Sequence, residues 1–163
     1  MAKNKGEKTN VMRVLEQKKI AYTPHSYPHE EGIAVDGVTV AKSMGFDPAI
    51  VFKTLVARGA SKQYYVFDVP VAENLDLKKA AKAVGEKSIE MIHQKELLPL
   101  TGYVHGGCSP VGMKKLFPTV IDASAENLET MIVSAGKIGY QVELAPRDLA
   151  ALVRAKFADI IAR

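Results

Sequence analysis

Hydrophobic and polar residues recur along the chain at two different spacings, which together predict a mixture of helices and strands. Apolar residues at helical spacing, with a capping residue before them or glycine or proline after them, predict six helical segments. These are expected at residues 10–19, in a segment ending at 44, and at 76–84, 94–98, 124–129 and 146–153. The clearest is 76–84, because Asp76 occupies the cap position, alanines fill the middle and Gly85 follows.

Runs rich in β-branched and aromatic residues, bounded by turn residues, predict seven strands and an extended segment at 22–27. The strands are expected at 51–57, 64–71, 89–92, 103–105, 119–122, 131–134 and 140–144. A turn at 59–63 makes the first two strands an antiparallel hairpin, and strands and helices do not alternate strictly along the chain. The pattern therefore predicts a single α+β domain with a mixed sheet.

The composition is that of an ordinary globular domain, since 47% of the 163 residues are apolar and 25% are charged. No apolar run approaches the roughly 20 residues that a membrane span needs. The polar beginning of the chain lacks the apolar stretch of a signal peptide. Cys108 is the one cysteine, which excludes an internal disulfide and fits a reducing compartment. We therefore expect a cytoplasmic protein.

The net charge of +4, with an isoelectric point near 9.1, favours approach to a polyanion such as RNA. The lysines are scattered, however, and form only short pairs such as Lys18-Lys19 and Lys114-Lys115. The sequence has neither the aromatic signature of an RNA-recognition motif nor zinc-knuckle spacing. The charge permits binding of nucleic acid without demonstrating it.

The segment from Gly102 to Lys115, here called the glycine-rich loop, is the most informative part of the chain. Its fourteen residues include four glycines, a Ser-Pro step and two lysines, and none is acidic. Glycine lets a ligand approach the backbone closely, and free N–H groups in such a bend can bind an anion or a carbonyl oxygen. The alternative is a wide connection that needs glycine only for its shape.

Lys53 occupies an unusual position in the predicted strand 51–57. Alternation places it on the same face as Val51 and Leu55, and the other face of the strand is also mostly apolar. Such a strand is expected to be central, so that the ammonium starts from a buried or half-buried surface. A buried ammonium is costly unless it is paired, which favours a functional role. The alternative is a lysine that extends past a sheet edge into water.

Other combinations of reactive residues are weaker. Cys108 and His105 could form a nucleophile and base, but residues three apart in an extended chain face opposite ways. His25 and His29 have helical spacing for a metal, but Pro28 between them argues against a helix. We therefore predict no metal site and no cofactor.

Two further segments have simple structural explanations. Gly136–Gly139 is too short for a phosphate-binding Walker loop and is typical of a hairpin turn, which Ser134 would either shape or extend towards a ligand. Asp148 is expected to serve the start of the last helix, as its cap or in its first turn.

Four motifs occur together in an order that resembles the YbaK/EbsC family. They are the segments 51–55, 75–85, 102–115 and 133–139, and the similarity extends over roughly residues 8–161. The resemblance implies a mixed six- to seven-stranded, partly barrel-like sheet with flanking helices. It also implies that residues 1–163 form one editing domain of the kind inserted in bacterial prolyl-tRNA synthetases, with residues 1–8 as a flexible terminus.

The resemblance implies a deacylase that acts in trans on Cys-tRNA(Pro), with prolyl-tRNA synthetase as a transient partner. Cysteine and proline are similar in size, and a binding pocket separates such side chains by only about 1–3 kcal/mol, so a second sieve is needed. In the family the substrate's own thiol is thought to attack its ester. Two alternatives are a deacylase for another mischarged tRNA, such as Ala-tRNA(Pro), and a non-catalytic module that binds a nucleotide or an RNA end.

Carried over to this chain, the family site consists of seven residues. Its members are Lys53, Gly106, Gly107, Tyr27, Ser109, Ser134 and Asp148. Lys53 would hold the substrate through its ammonium, and the N–H groups of Gly106 and Gly107 would stabilise the developing oxyanion. The other four are expected to bind or orient the substrate. Cys108 occupies the open position of the family pattern Gly-Gly-x-Ser-Pro.

Overall fold

Two β-sheets and five short helices make up the fold. The computed structural model describes residues 8–30 and 32–163, and within them the helices are α1 (Asn10–Gln17), α2 (Gly37–Ser43), α3 (Leu77–Val84), α4 (Gln94–Thr101) and α5 (Pro146–Val153). The strands are β1 (Thr23–Ser26), β2 (Phe52–Gly59), β3 (Tyr64–Pro70), β4 (Ile89–Met91), β5 (Thr119–Asp122), β6 (Met131–Ser134), β7 (Tyr140–Leu144) and β8 (Lys156–Ala158). None of the helices in the described part of the chain is long and apolar enough to cross a membrane.

The larger sheet is mixed and has the strand order β4-β2-β3-β5-β8. β2 is antiparallel to both of its neighbours, whereas β3, β5 and β8 run parallel to one another. The smaller sheet, β1-β7-β6, is antiparallel throughout. A parallel bridge between Val51 and Ile132 joins the two sheets without closing them into a barrel.

The register of β2 determines what faces the functional region. Lys53 lies opposite Val69 and Thr54 lies opposite Asp68 on β3. On its other edge β2 meets β4 only at Ala57–Gly59, so the segment 52–55 extends beyond the end of β4. Over the segment 52–55, one edge of β2 is therefore not paired with β4.

Two apolar clusters make up most of the core, and the first includes Phe52 and Ile121 of the larger sheet beside residues of the smaller one. In the first core, α1 and α5 pack on the smaller sheet through residues such as Leu15, Met131 and Leu149. In the second, α3 covers one face of the larger sheet, where Ala80 packs with residues such as Phe67. Helix α3 forms as predicted, because Asp76 accepts hydrogen bonds from two backbone N–H groups of the first turn and Gly85 ends the helix with φ of 76°.

The structure confirms the predicted α+β class and most of the predicted elements, but two predictions are wrong and one strand was missed. Residues 103–105 do not form a strand, and β8 was not predicted. Helix α4 continues past Pro99 to Thr101, because the Thr101 hydroxyl donates to the carbonyl of Leu97 and the Gly102 N–H to that of Leu98. Proline has no backbone N–H to donate, and these two hydrogen bonds hold the last turn of the helix in its absence.

Two further predictions are refined. The helix expected at 124–129 is a 3₁₀ helix at Ala123–Asn127, and the expected six- to seven-stranded sheet is divided into two sheets. The flexible terminus predicted for residues 1–8 lies, apart from Lys8, outside the described residues.

Candidate functional site

A cleft of about 460 Å³ opens along the free segment of β2. The strand contributes residues 52–55, among them Lys53 and Thr54, while β6 and β7 contribute Ser134 and Gln141 from the opposite sheet. The remaining walls come from the segment that leads into α2, from α4 and from the glycine-rich loop. Its volume is within the range of about 300–1,000 Å³ that small-molecule sites occupy.

The backbone of β2 also faces this cleft. The carbonyl of Val56 accepts from Ile92 at 3.4 Å, on the side away from β3. Because peptide groups alternate in direction along a strand, the N–H and C=O of Thr54 point to that same side. Beyond the end of β4, these two groups are presented to the cleft.

Lys53 is half-buried in the cleft, as its position in the strand predicted. Removal from water lowers the pKa of its ammonium, and the carboxylates of Asp36 and Glu73 partly offset this effect. Asp36 is held in place as the N-cap of α2, where it accepts from the Thr39 N–H at 3.1 Å. The result is a partly desolvated cation whose interaction with a developing negative charge is stronger than in bulk water.

Gly106 brings the glycine-rich loop to the cleft. Its φ is +90°, and a Cβ placed on it would lie 2.6 Å from the Cβ of Ala34, so the position requires glycine. The next residue, Gly107, donates its N–H to the carbonyl of Val104 at 2.9 Å. The N–H of Gly107, predicted to stabilise an oxyanion, is therefore engaged within the turn, whereas Gly106 lies at the cleft wall.

Tyr27 and Ser134 also line the cleft. Tyr27 is anchored by its N–H, which donates to Gly139 at 2.9 Å. The Ser134 hydroxyl accepts from the N–H of Gly136 at 3.1 Å, so it shapes the turn after β6 and faces the cleft at once.

Two predicted site residues are not brought to the cleft. Ser109 is fully buried, and its hydroxyl accepts from the Val111 N–H within the glycine-rich loop. Asp148 is exposed in the first turn of α5, the simpler of the roles considered for it. The structure thus brings together Lys53, Gly106, Tyr27 and Ser134.

Gln141 lies in the cleft but was not identified from the sequence. It is paired with Ser134 across the β6–β7 hairpin, and its side-chain oxygen is buried without a hydrogen-bond partner among the described residues. The predicted hairpin around residues 135–139 contained the necessary signal, because residues paired across an antiparallel ladder share one face.

Asp68 is a second residue that the sequence analysis missed. It is completely buried on β3, its Oδ1 accepts from the Thr54 hydroxyl at 2.6 Å, and its Oδ2 has no partner among the described residues. Burial raises the pKa of this carboxyl to about 7, and the bond from Thr54 opposes the shift. An acidic residue within the apolar run 64–71 was the signal in the sequence.

The reactive pair Cys108 and His105 also lies at the cleft. Burial, reinforced by the negative charge of Asp68, raises the pKa of the Cys108 thiol to about 12. The thiol is consequently protonated at neutral pH, whereas nucleophilic catalysis requires the thiolate. This argues against a Cys–His mechanism, as the sequence analysis expected.

The two spaced histidines serve separate structural roles. His25 contacts Glu143 at 2.8 Å, and His29 contacts the carbonyl of Tyr27 at 3.0 Å. Across residues 8–30 and 32–163, no cluster of three potential metal ligands is present.

Comparisons with known proteins identify the family. Residues 34–152 match the family described as the aminoacyl-tRNA editing domain. The chain belongs to this family. It is 45% identical over 161 residues to EbsC of Enterococcus faecalis (strain ATCC 700802 / V583), described as a candidate Cys-tRNA(Pro)/Cys-tRNA(Cys) deacylase. That alignment covers 98% of each protein.

Solved structures share the fold of this editing-family chain. One is the crystal structure of a candidate trans-editing enzyme for prolyl-tRNA synthetase, with a TM-score of 0.80 and 24% identity, covering 97% of this chain and 100% of that one. Another is a hypothetical protein with a TM-score of 0.82 and 20% identity, covering 93% of this chain and 99% of that one. At these identities the structures establish the fold.

The raised pKa of Asp68 predicts a specific pH dependence of stability. Between its unfolded value of 3.8 and about 7, the folded protein retains a proton that the unfolded chain loses. The contribution of Asp68 to the free energy of unfolding therefore falls as pH rises through this window, by about 1.4 kcal/mol per unit of pKa difference, and is constant above it.

Urea denaturation of wild type and Asp68→Asn from pH 4 to 8 measures this dependence. The wild type is expected to lose stability relative to the variant as pH rises. Asp148→Asn makes the same substitution at an exposed aspartate and is the matched control. A pH-independent difference between wild type and Asp68→Asn would contradict the assignment.

Proposed function

We propose that this protein is an aminoacyl-tRNA deacylase that removes cysteine from mischarged Cys-tRNA(Pro) in trans. The observation that carries the proposal is the convergence of the half-buried Lys53 and the glycine wall at Gly106 on one cleft, in a chain of the editing family. EbsC, which is 45% identical, is named for the same reaction. Mischarged tRNA arises where the synthetases work, so the proposal places the protein in the cytoplasm.

The cleft suits the aminoacyl end of a tRNA. In the proposed complex the Lys53 ammonium lies near the ester carbonyl, whose oxygen gains negative charge as the carbonyl carbon is attacked. Gly106 lets the ester approach the loop backbone closely. The carbonyl of Thr54, on the edge of β2 that β4 leaves unpaired, is an acceptor for the substrate's α-ammonium. Tyr27 and Ser134 complete the walls.

The substrate supplies the nucleophile in this proposal. The cysteine sulfur bonds to its own carbonyl carbon, the ester C–O bond breaks, and the thiol proton passes to the departing ribose oxygen. Water then hydrolyses the cyclic thioester to free cysteine. The protein's contribution is to position the thiol and stabilise charge, which agrees with the protonated state of Cys108.

Release of cysteine from Cys-tRNA(Pro) is the direct test. Wild type is expected to turn over many equivalents, and Lys53→Ala to lose roughly 100- to 1,000-fold in kcat/KM because an electrostatic contact to the transition state is removed. Lys42→Ala, which removes an exposed lysine from α2, is the matched control and should retain activity.

The other outcomes of this assay are also informative. Release of alanine from Ala-tRNA(Pro), with the cysteinyl ester left intact, would keep the site and change the substrate. Stoichiometric protection of both esters would refute the enzyme and favour a binding module.

Gly106→Ala is expected to lower kcat/KM by roughly 100-fold, because displacement of a catalytic group by about 1 Å has an effect of that size. The methyl group would meet Ala34 and enter a strained backbone conformation. Gly85→Ala is matched for strain, with φ of +76° and no atom within 4 Å of the added Cβ. It should lose stability but keep its activity per folded molecule. Equal loss of activity in both variants would remove Gly106 from the site.

Prolyl-tRNA synthetase is proposed as a transient partner, because Cys-tRNA(Pro) and Cys-tRNA(Cys) carry the same ester and the cleft alone cannot distinguish them. The tagged protein is expected to capture the synthetase from a lysate when tRNA(Pro) is added, and to recover less with tRNA(Cys). No recovery of the synthetase with tRNA(Pro) present would refute this partner while leaving the deacylase intact.

A further inference from the structure

A second groove, outside the cleft, collects positive charge. Its volume is about 510 Å³, and its lining includes Lys8, Arg13, Lys114 and Lys137, here called the basic groove. None of the described residues that line it is acidic. Glu16, outside the lining, pairs with Lys8 at 2.9 Å, so the charge of Lys8 is partly compensated. Charges of one sign that line a concave surface produce a stronger electrostatic potential than the same charges scattered over a flat one. The positive charge of this protein is therefore more concentrated than the scattered lysines of the sequence suggested.

Three separate parts of the chain meet to form this groove. They are the beginning of α1, the glycine-rich loop and the turn between β6 and β7. A Cβ on Gly112 would lie 2.9 Å from the Tyr103 hydroxyl, and one on Gly136 would lie 3.0 Å from the Tyr103 ring. Both glycines therefore let their segments pack closely on Tyr103, which brings the lysines that follow them, Lys114 and Lys137, to the same groove.

An aromatic depression connects the basic groove with the cleft. Its volume is about 360 Å³, and its lining includes His29, Tyr103 and Tyr140. Tyr140 also lines the cleft, whereas Tyr103 and Lys137 also line the basic groove. The three concavities are thus neighbours that share lining residues, in the order basic groove, aromatic depression and cleft, and this row of concavities is here called the path.

We infer that this path is the docking surface for the acceptor arm of tRNA, with the phosphates of the acceptor stem in the basic groove and the unpaired 3′ nucleotides in the aromatic depression. The inference rests on the proposed function, which places the terminal ester in the cleft. Duplex phosphates are neutralised by lysine and arginine, whereas unpaired bases stack on aromatic rings. The order of the three concavities matches the order of phosphates, unpaired bases and ester along an acceptor arm. An acidic protein partner would account for the basic groove but not for this order.

Binding of an uncharged acceptor-stem minihelix tests the groove without any deacylation. The test variant is Lys114→Gln combined with Lys137→Gln. The control is Lys78→Gln combined with Lys82→Gln, which makes the same charge change on the exposed part of α3. The groove variant is expected to bind roughly 10- to 100-fold more weakly at 0.1 M salt, and the slope of log K against log salt should fall by about 2. The control should retain nearly the wild-type slope.

A second measurement compares two cysteinyl esters, one on the minihelix and one on adenosine, which has no phosphate. In the groove variant the ratio of kcat/KM for the minihelix to that for the adenosine ester should fall at least about tenfold. A general loss of folded protein would not lower this ratio, because it would reduce kcat/KM for both esters equally and both are assayed on the same preparation.

The outcomes separate the groove from the proposed function. Wild-type binding and salt slope in the groove variant, with deacylation intact, would overturn the docking surface and leave the deacylase standing; the groove would then be examined with prolyl-tRNA synthetase. Equal losses in the groove and control variants would reduce the effect to net charge and also overturn it. If no ester is cleaved, the binding measurement still decides whether the groove holds the stem.

Discussion

The free edge of β2 is the constraint on which the site depends. Every peptide group of a strand must be satisfied by another strand, by a side chain, by water or by a ligand. β4 pairs with β2 only at Ala57–Gly59, and the bridge from β6 is made at Val51, just before β2 begins, so neither strand forms a ladder with the segment 52–55 on this edge. The packing that joins the two sheets therefore also creates the backbone surface that a substrate can use.

The hairpin of β2 and β3 carries two ionisable side chains, Lys53 half-buried in the cleft and Asp68 completely buried, and burial favours the uncharged form of each. Burial lowers the pKa of Lys53 and raises that of Asp68. Lys53 retains compensating carboxylates on neighbouring segments, whereas Asp68 has one hydrogen bond from Thr54. Lys53 and Thr54 are adjacent and point to opposite faces of the strand. This short stretch of β2 therefore places Lys53 in the cleft and the Thr54 hydroxyl against Asp68.

The sequence was sufficient for features that local periodicity determines. It predicted helix α3, the β2–β3 hairpin and the half-buried position of Lys53, because each depends on spacing within a single segment. It failed where the outcome depends on contacts that periodicity does not encode. Helix α4 passes Pro99 because of two local hydrogen bonds in its last turn, and Gln141 reaches the cleft through strand pairing. Likewise, Asp68 could be understood only once its pairing with Thr54 was known.

The buried thiol of Cys108 has a consequence for chemical probes of this protein. With a pKa of about 12, the thiolate is only on the order of one part in 10⁵ of the population at neutral pH, and alkylating reagents attack the thiolate. A free cysteinyl ester keeps an ordinary, accessible thiol and is alkylated far faster. Reagents of this class can therefore block the substrate thiol while leaving Cys108 unmodified. The roles of the two thiols can thus be separated without mutating the protein.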